Sequence, residues 1–315
     1  MLFPRLLRTL LVNPADHPRG QPHLSAASGL VVLQGRCYVV ADDEHHLGKF
    51  KLQDNSPVKL KRLFDGELPL NPKKRKAAKP DLEVLALLPS MARYPHGALL
   101  ALGSGSKPQR HTGLVMALGA DGKLGKGNAL VSQEIDLTVL YAPLHAEFAD
   151  LNIEGCIVQG DELHLVQRGN KGTAGQSYAG QSSAVISLHW PQVQAWLLDA
   201  EDTPPPPSRI APLELGDIDG IPLTPTDACL LPNGHWLLSA AAENTADSTL
   251  DGPCAGSALA VVSAQGKVQQ LHYLHGAPKV EGISVQASGS TLTVLMVTDA
   301  DHPDVPSQLL ELVLP

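Results

Sequence analysis

Glu83, Glu154, Asp227 and Glu281 stand in one register of four short segments. These are Leu82-Glu83-Val84-Leu85, Ile153-Glu154-Gly155-Cys156, Thr226-Asp227-Ala228-Cys229 and Val280-Glu281-Gly282-Ile283. Ala27-Ser28-Gly29-Leu30 fits as a fifth copy, with Ser28 in the acidic slot. Carboxylates gathered around one axis repel one another, so they either take up protons or hold a cation. Oxygen-only donors suit Ca²⁺ or Mg²⁺. Zinc or manganese would need His45, His46 or His302 near the axis.

The expected metal ligands are Asp42, Glu154, Asp227, Glu281 and Asp299. The chemistry they would support is hydrolysis of a small anionic ester, a phosphoester or a lactone, with the cation polarising an oxygen or activating water. Glu83 would be the base and Glu154 would share in catalysis. Arg168 would hold the developing negative charge. The competing reading is that each acid caps a strand end and bonds to a neighbouring backbone N–H.

Two basic features point to an anionic ligand. Ser104, Lys107 and Arg110 lie in a Gly/Ser-rich loop able to cradle an anion with its N–H groups, although it lacks the spacing of a P-loop. Arg168 with Asn170 and Lys171 is the second; the alternative role for Arg168 is to neutralise the acids. Ser28 and Glu243 complete the expected ligand-binding set. The run Lys73-Lys74-Arg75-Lys76 reads as a solvated charge run in a loop between blades.

Residues at one register converge only if the segments that carry them are repeated around an axis. The apolar runs are short, rich in Val and Leu, and separated by Gly, Asp, Asn and Pro, which is the pattern of strands and hairpins. They fall into five units whose first strands begin near residues 28, 82, 153, 226 and 280. The last unit is one strand short, and residues 5–12 can supply it. The predicted fold is an all-β, five-bladed β-propeller closed by the N-terminal strand, occupying residues 1–315 as one domain. A six-bladed propeller is the alternative. A β-sandwich would leave the repeated acidic register without a reason. Helices are predicted at residues 139–151 and 191–198. In this fold the start of each first strand and the end of each second strand share one face, so Asp42, Ser104, Arg168, Ala241 and Asp299 would form a second ring beside the first.

Composition narrows the partners. The chain has 315 residues and a formal charge of −8, which disfavours nucleic acid as a partner. No run of about 20 apolar residues is present to cross a membrane. Arg5 and Arg8 interrupt the N-terminal apolar stretch, which argues against a secretory signal. Cys37, Cys156, Cys229 and Cys254 show no CxxC spacing and read as buried thiols in a reducing cytoplasm. A cytoplasmic monomer binding a small anionic molecule is the expectation.

The segments SGLVVLQGRCYVVADDE, LNIEGCIVQGDELHLVQRGN and KVEGISV resemble a loose group of bacterial propellers, the phytase-like or esterase-like propellers and uncharacterised propeller families near them. The resemblance implies the propeller fold and, for phytase-like members, calcium among channel carboxylates and phosphoester hydrolysis. The dense acidic loops of phytase propellers are not evident here. Two other functions stay open. A non-catalytic propeller would use the channel for a ligand and the rim for a partner. A glycosidase would need a carboxylate pair about 5–9 Å apart, and Trp190, Trp196 and Trp236, the three tryptophans, all fall on the opposite face.

Overall fold

The structure, a computed structural model, describes residues 1–125, 132–169, 182–199, 201–246, 252–276 and 278–314. It is a five-bladed β-propeller of four-stranded antiparallel sheets. Blade one comprises Ala27–Leu33, Arg36–Ala41, His46–Lys51 and Lys61–Arg62. Blade two comprises Leu82–Leu88, Ala98–Gly103, Thr112–Ala117 and Ser132–Asp136. Blade three comprises Ile153–Gln159, Glu162–Gln167, Ala184–His189 and Arg209–Pro212. Blade four comprises Thr224–Leu230, Trp236–Glu243, Cys254–Val262 and Val268–Tyr273. Blade five comprises Val280–Ser288, Thr291–Thr298 and Gln308–Leu314, and Arg5–Thr9 completes it by pairing with Gln308–Leu314. Joining both ends of the chain in one sheet closes the ring and leaves only short outer edges unpaired.

The first strand of each blade packs against the first strands of its two neighbours, so these five strands surround the axis. The apolar cores lie between blades. Leu30, Val39 and Phe50 of blade one meet Leu295 and Leu309 of blade five. Trp236 and Leu238 of blade four meet Val166 and Val185 of blade three. Each fully buried side chain of this size stabilises the fold by roughly 2 kcal/mol. The cysteines are free thiols. Burial pushes Cys37 and Cys156 up to about 12, so neither is a thiolate nucleophile at neutral pH.

The helices Thr138–Glu147 and Trp190–Leu197 lie where the spacing predicts them, the first shorter at its end. The basic run differs from expectation. Pro72–Ala78 is a helix, with Pro72 in its first turn and the Asn71 side chain accepting the Lys74 N–H at 3.1 Å. Its Arg75 is buried and donates to the Asp43 carbonyl at 2.9 Å, so one residue of the charge run is structural. Among the described residues no helix is long and apolar enough to cross a membrane.

Candidate active site at the channel mouth

A β-bulge marks the start of every first strand. The pairing register shifts around Ser28, Glu83, Glu154, Thr226 and Glu281. A bulge leaves one residue out of the ladder and re-aims its side chain. Four of these five residues are those the repeat picked out. The fifth differs by one position: in blade four the bulge falls on Thr226, and Asp227 takes the place held by Gly29, Gly155 and Gly282. That place faces the next blade. A Cβ on Gly29 would stand 2.6 Å from the Leu85 nitrogen, and one on Gly155 would stand 3.0 Å from the Ala228 nitrogen. The Asp227 carboxylate uses this position to accept the Ala228 N–H at 2.7 Å and the Ile283 N–H at 2.8 Å. It therefore bridges blades four and five, with both oxygens bonded to backbone.

The second ring forms where expected. The N–H groups of Asp42, Ser104, Arg168 and Asp299 donate to the carbonyls of Ala26, Asp81, Asn152 and Lys279, each just before a first strand. This repeat position carries Asp81 in blade two and Lys279 in blade five. Neither was identified from the sequence, because the acidic slot drew attention two residues further on.

Around blades one and two, Lys79 is bonded to Asp42 and lies 2.7 Å from Asp81 Oδ1. Asp81 Oδ2 accepts from Ser104 Oγ at 2.5 Å and from Arg110 Nη1 at 2.6 Å. Burial disfavours the Asp81 carboxylate, but Lys79 and Arg110 outweigh it and hold its pKa below the usual value. Glu83 is pushed the other way, first by burial and then by Glu154, Asp81 and Asp42. Oxygens of Asp42, Asp81 and Glu83 all lie within 4.8 Å of one another.

Around blades three to five, Arg168 donates to Glu243 and to Glu154 Oε1 at 3.3 Å, with Glu281 Oε2 at 3.8 Å. Its Nε donates to Thr224 Oγ1 at 3.1 Å. Lys279 lies 2.9 Å from Glu243, 3.3 Å from Glu281 and 2.6 Å from Asp301. Burial raises Glu154 to about 8, against the pull of Arg168 and with the push of Glu281. Burial raises Glu281 to about 7, although Lys279 and Arg168 oppose it. Asp299 is likewise raised by burial, against Lys279, and its Oδ1 accepts the Asp301 N–H at 2.8 Å. The buried Glu154 Oε2 has no hydrogen-bond partner among the described residues.

Other expected positions fall aside from these clusters. Ser28 is buried and donates to the Ala26 carbonyl at 3.3 Å. Lys107 is half-buried at the start of the turn Pro108–Arg110. Asn170 and Lys171 lie outside the described residues. His45 contacts Phe64 on blade one, and His46 lies 3.7 Å from Glu44, so neither joins the axial acids.

The mouth opens into a cavity of about 470 Å³ between blades one and five. Arg19, Arg75, Lys76 and Lys79 line it together with Asp42 and Asp299. Counting Asp42, Asp81, Glu83, Glu154, Asp227, Glu243, Glu281, Asp299 and Asp301 against Lys79, Arg110, Arg168 and Lys279 leaves nine acids to four bases. Arg19, Arg75 and Lys76 on the cavity wall meet part of this excess, and protons on the raised carboxyls or a cation would relieve the rest. Asp42, Asp81 and Glu83 offer the all-oxygen set of a hard cation. Lys79 already stands between two of them, so a divalent ion would have to share the site with its ammonium.

Residues 23–314 match a family model described as "Family of unknown function (DUF6929)". The chain belongs to this family. The match is to neither a phytase-like nor an esterase-like family. No curated protein sequence matches the chain. Among solved structures, the catalytic domain of a GH62 α-L-arabinofuranosidase from Coprinopsis cinerea is similar over 99% of this chain and 97% of its own. Its TM-score is 0.51 and its identity 11%. A glutaminyl cyclase from Myxococcus xanthus is similar over 99% of this chain and 97% of its own, with a TM-score of 0.45 and 10% identity. At 11% identity the likeness to the arabinofuranosidase speaks to the propeller fold alone.

Proposed function

We propose that this DUF6929 member is a hydrolase of a small anionic ester, acting at the charged mouth of its channel. The observation that carries the reading is Glu154. It sits at a bulge on an axial strand, it is buried, and one of its oxygens lacks a partner. A carboxyl in that setting keeps a proton to donate to a leaving oxygen. Arg168 is bonded to Thr224, Glu154 and Glu243, which makes it a positioning residue for Glu154 in place of the oxyanion role expected from sequence. Asp42, Asp81 and Glu83 would hold Ca²⁺ or Mg²⁺. Bound there, the ion would polarise the substrate oxygen and sharpen a water as nucleophile. Glu83 then becomes a ligand, where the sequence pointed to a base. Arg19 and Lys76 on the cavity wall would receive the anionic end of the substrate.

The experiment is a panel of phosphoesters, carboxylic esters and lactones, assayed with Mg²⁺, with Ca²⁺ and with a chelator. Glu154→Gln should lower kcat by about 100-fold or more, the usual scale for a lost general acid. Full activity in Glu154→Gln would overturn the assignment. A second reading, a non-catalytic binding propeller, is favoured by the four bases already paired with the acids. Tight binding of an anion without turnover across the panel would decide for it.

A further inference from the structure

A second cluster lies on the same face, outside the axial acids. His111 follows the turn Pro108–Arg110, and His145 is on the helix Thr138–Glu147. Their Nε2 atoms are 3.1 Å apart, and His111 Nε2 is 3.1 Å from the Gly105 carbonyl oxygen. The ring centroids are 5.1 Å apart, so the two nitrogens occupy facing edges of the rings. With one of the rings in the Nδ1–H tautomer, a single Nε2–H can bridge the carbonyl and the imidazole.

The three donors are held in place by their surroundings. Gly105 has φ +78°, and a Cβ there would stand 2.7 Å from Tyr141 Cδ2, so glycine is required for the carbonyl to point this way. Tyr141 is buried, donates to the Gly103 carbonyl at 2.8 Å and meets the His111 ring edge-on at 5.7 Å. Asp136 Oδ1 accepts the Thr138 N–H at 2.9 Å and so anchors the start of the helix that carries His145. Metal–nitrogen bonds of about 2.0–2.1 Å, set at right to tetrahedral angles, place ligand nitrogens roughly 2.9–3.4 Å apart. The observed spacing falls within that range.

We propose that His111, His145 and the Gly105 carbonyl bind one borderline divalent ion of the zinc class, with water completing its shell. Imidazole donors select this class over the hard cations suited to the axial acids. The ion replaces the shared Nε2 proton. It also ties the loop that presents Ser104 and Arg110 to Asp81 onto the helix before blade three. The site stands whether or not the mouth is hydrolytic.

The test is calorimetric titration of the untagged full chain with Zn²⁺, with Co²⁺ absorption reporting nitrogen ligation. The expected result is a saturable site of one equivalent that persists in Glu83→Gln and His189→Ala. His145→Ala and His111→Gln should each weaken it by at least about tenfold, since even supporting contacts shift metal affinity on this scale. Melting curves of the metal-free variants would check that both remain folded. Unchanged zinc affinity in both histidine variants, or no saturable equivalent in the parent chain, would overturn the proposal.

Discussion

Asp227 reaches across the seam between blades four and five and accepts the backbone N–H of Ile283 at 2.8 Å. Gly29, Gly155 and Gly282 hold the matching position in three other blades and leave the neighbouring strand room to approach. Asp227 fills that room with a carboxylate that satisfies the strand instead. Burial raises its pKa well above the usual value, while the Ile283 and Ala228 N–H groups oppose the rise.

Asp227→Ala should therefore act on stability. It leaves the Ile283 N–H buried without an acceptor, at a cost of about 1–3 kcal/mol. Urea unfolding measures the loss, and divalent-ion binding by the same variant should be unchanged. Lost ion binding in a fully stable variant would make Asp227 a ligand after all.

Arg168 is the counter-charge for Glu154, Glu243 and Glu281. Arg168→Met strands these buried carboxylates and should destabilise the fold by about 3–5 kcal/mol. Arg168→Lys should recover only part of this, because an ammonium cannot reproduce the fork that spans Thr224, Glu154 and Glu243. Equal stability of the Lys variant and the parent would show that charge alone matters.

The raised carboxyls also set a pH dependence. Glu154 moves from 4.5 to about 8 and Glu281 from 4.5 to about 7, in both cases chiefly by burial. Between those values the folded chain keeps protons that the unfolded chain has released, so stability falls as pH rises through the window. Asp43, raised to about 6 by burial and Asp42, adds with the same sign. His17, lowered from 6.5 to about 4 by burial, works the other way, and only below 6.5. The melting temperature should drop from pH 6.5 to 8, with a shallower drop in Glu154→Gln. A parent chain whose melting point stays level or rises over that range contradicts the assignment.

Lys79 supplies an internal cation to Asp42 and Asp81. Lys79→Met should destabilise the chelated protein and raise its affinity for Ca²⁺ or Mg²⁺, because the acids regain their unmet charge. Calorimetry of parent and variant measures both effects. An unchanged divalent affinity would mean that the ammonium and the metal do not compete.

The sequence by itself determined the blades, the closure by the N-terminal strand and the shared register of Ser28, Glu83, Glu154 and Glu281, which prove to be bulge residues. Those features rest on local causes: short apolar runs rich in Val and Leu, turn residues between them, and one side chain per strand start. The bulge at Thr226 needed the tertiary structure, since Thr226-Asp227 and Glu154-Gly155 can be aligned in either register by composition. Which acids are neutralised, and by what, was also decided in three dimensions. Lys79, Asp81 and Lys279 lie before their strands, and the axis brings them to Asp42, Ser104, Arg110 and Glu243, which are far from them in the chain. The pairing of His111 with His145 is of the same kind. Thirty-four residues separate them, and only the packing of the helix against the blade-two loop brings their nitrogens face to face.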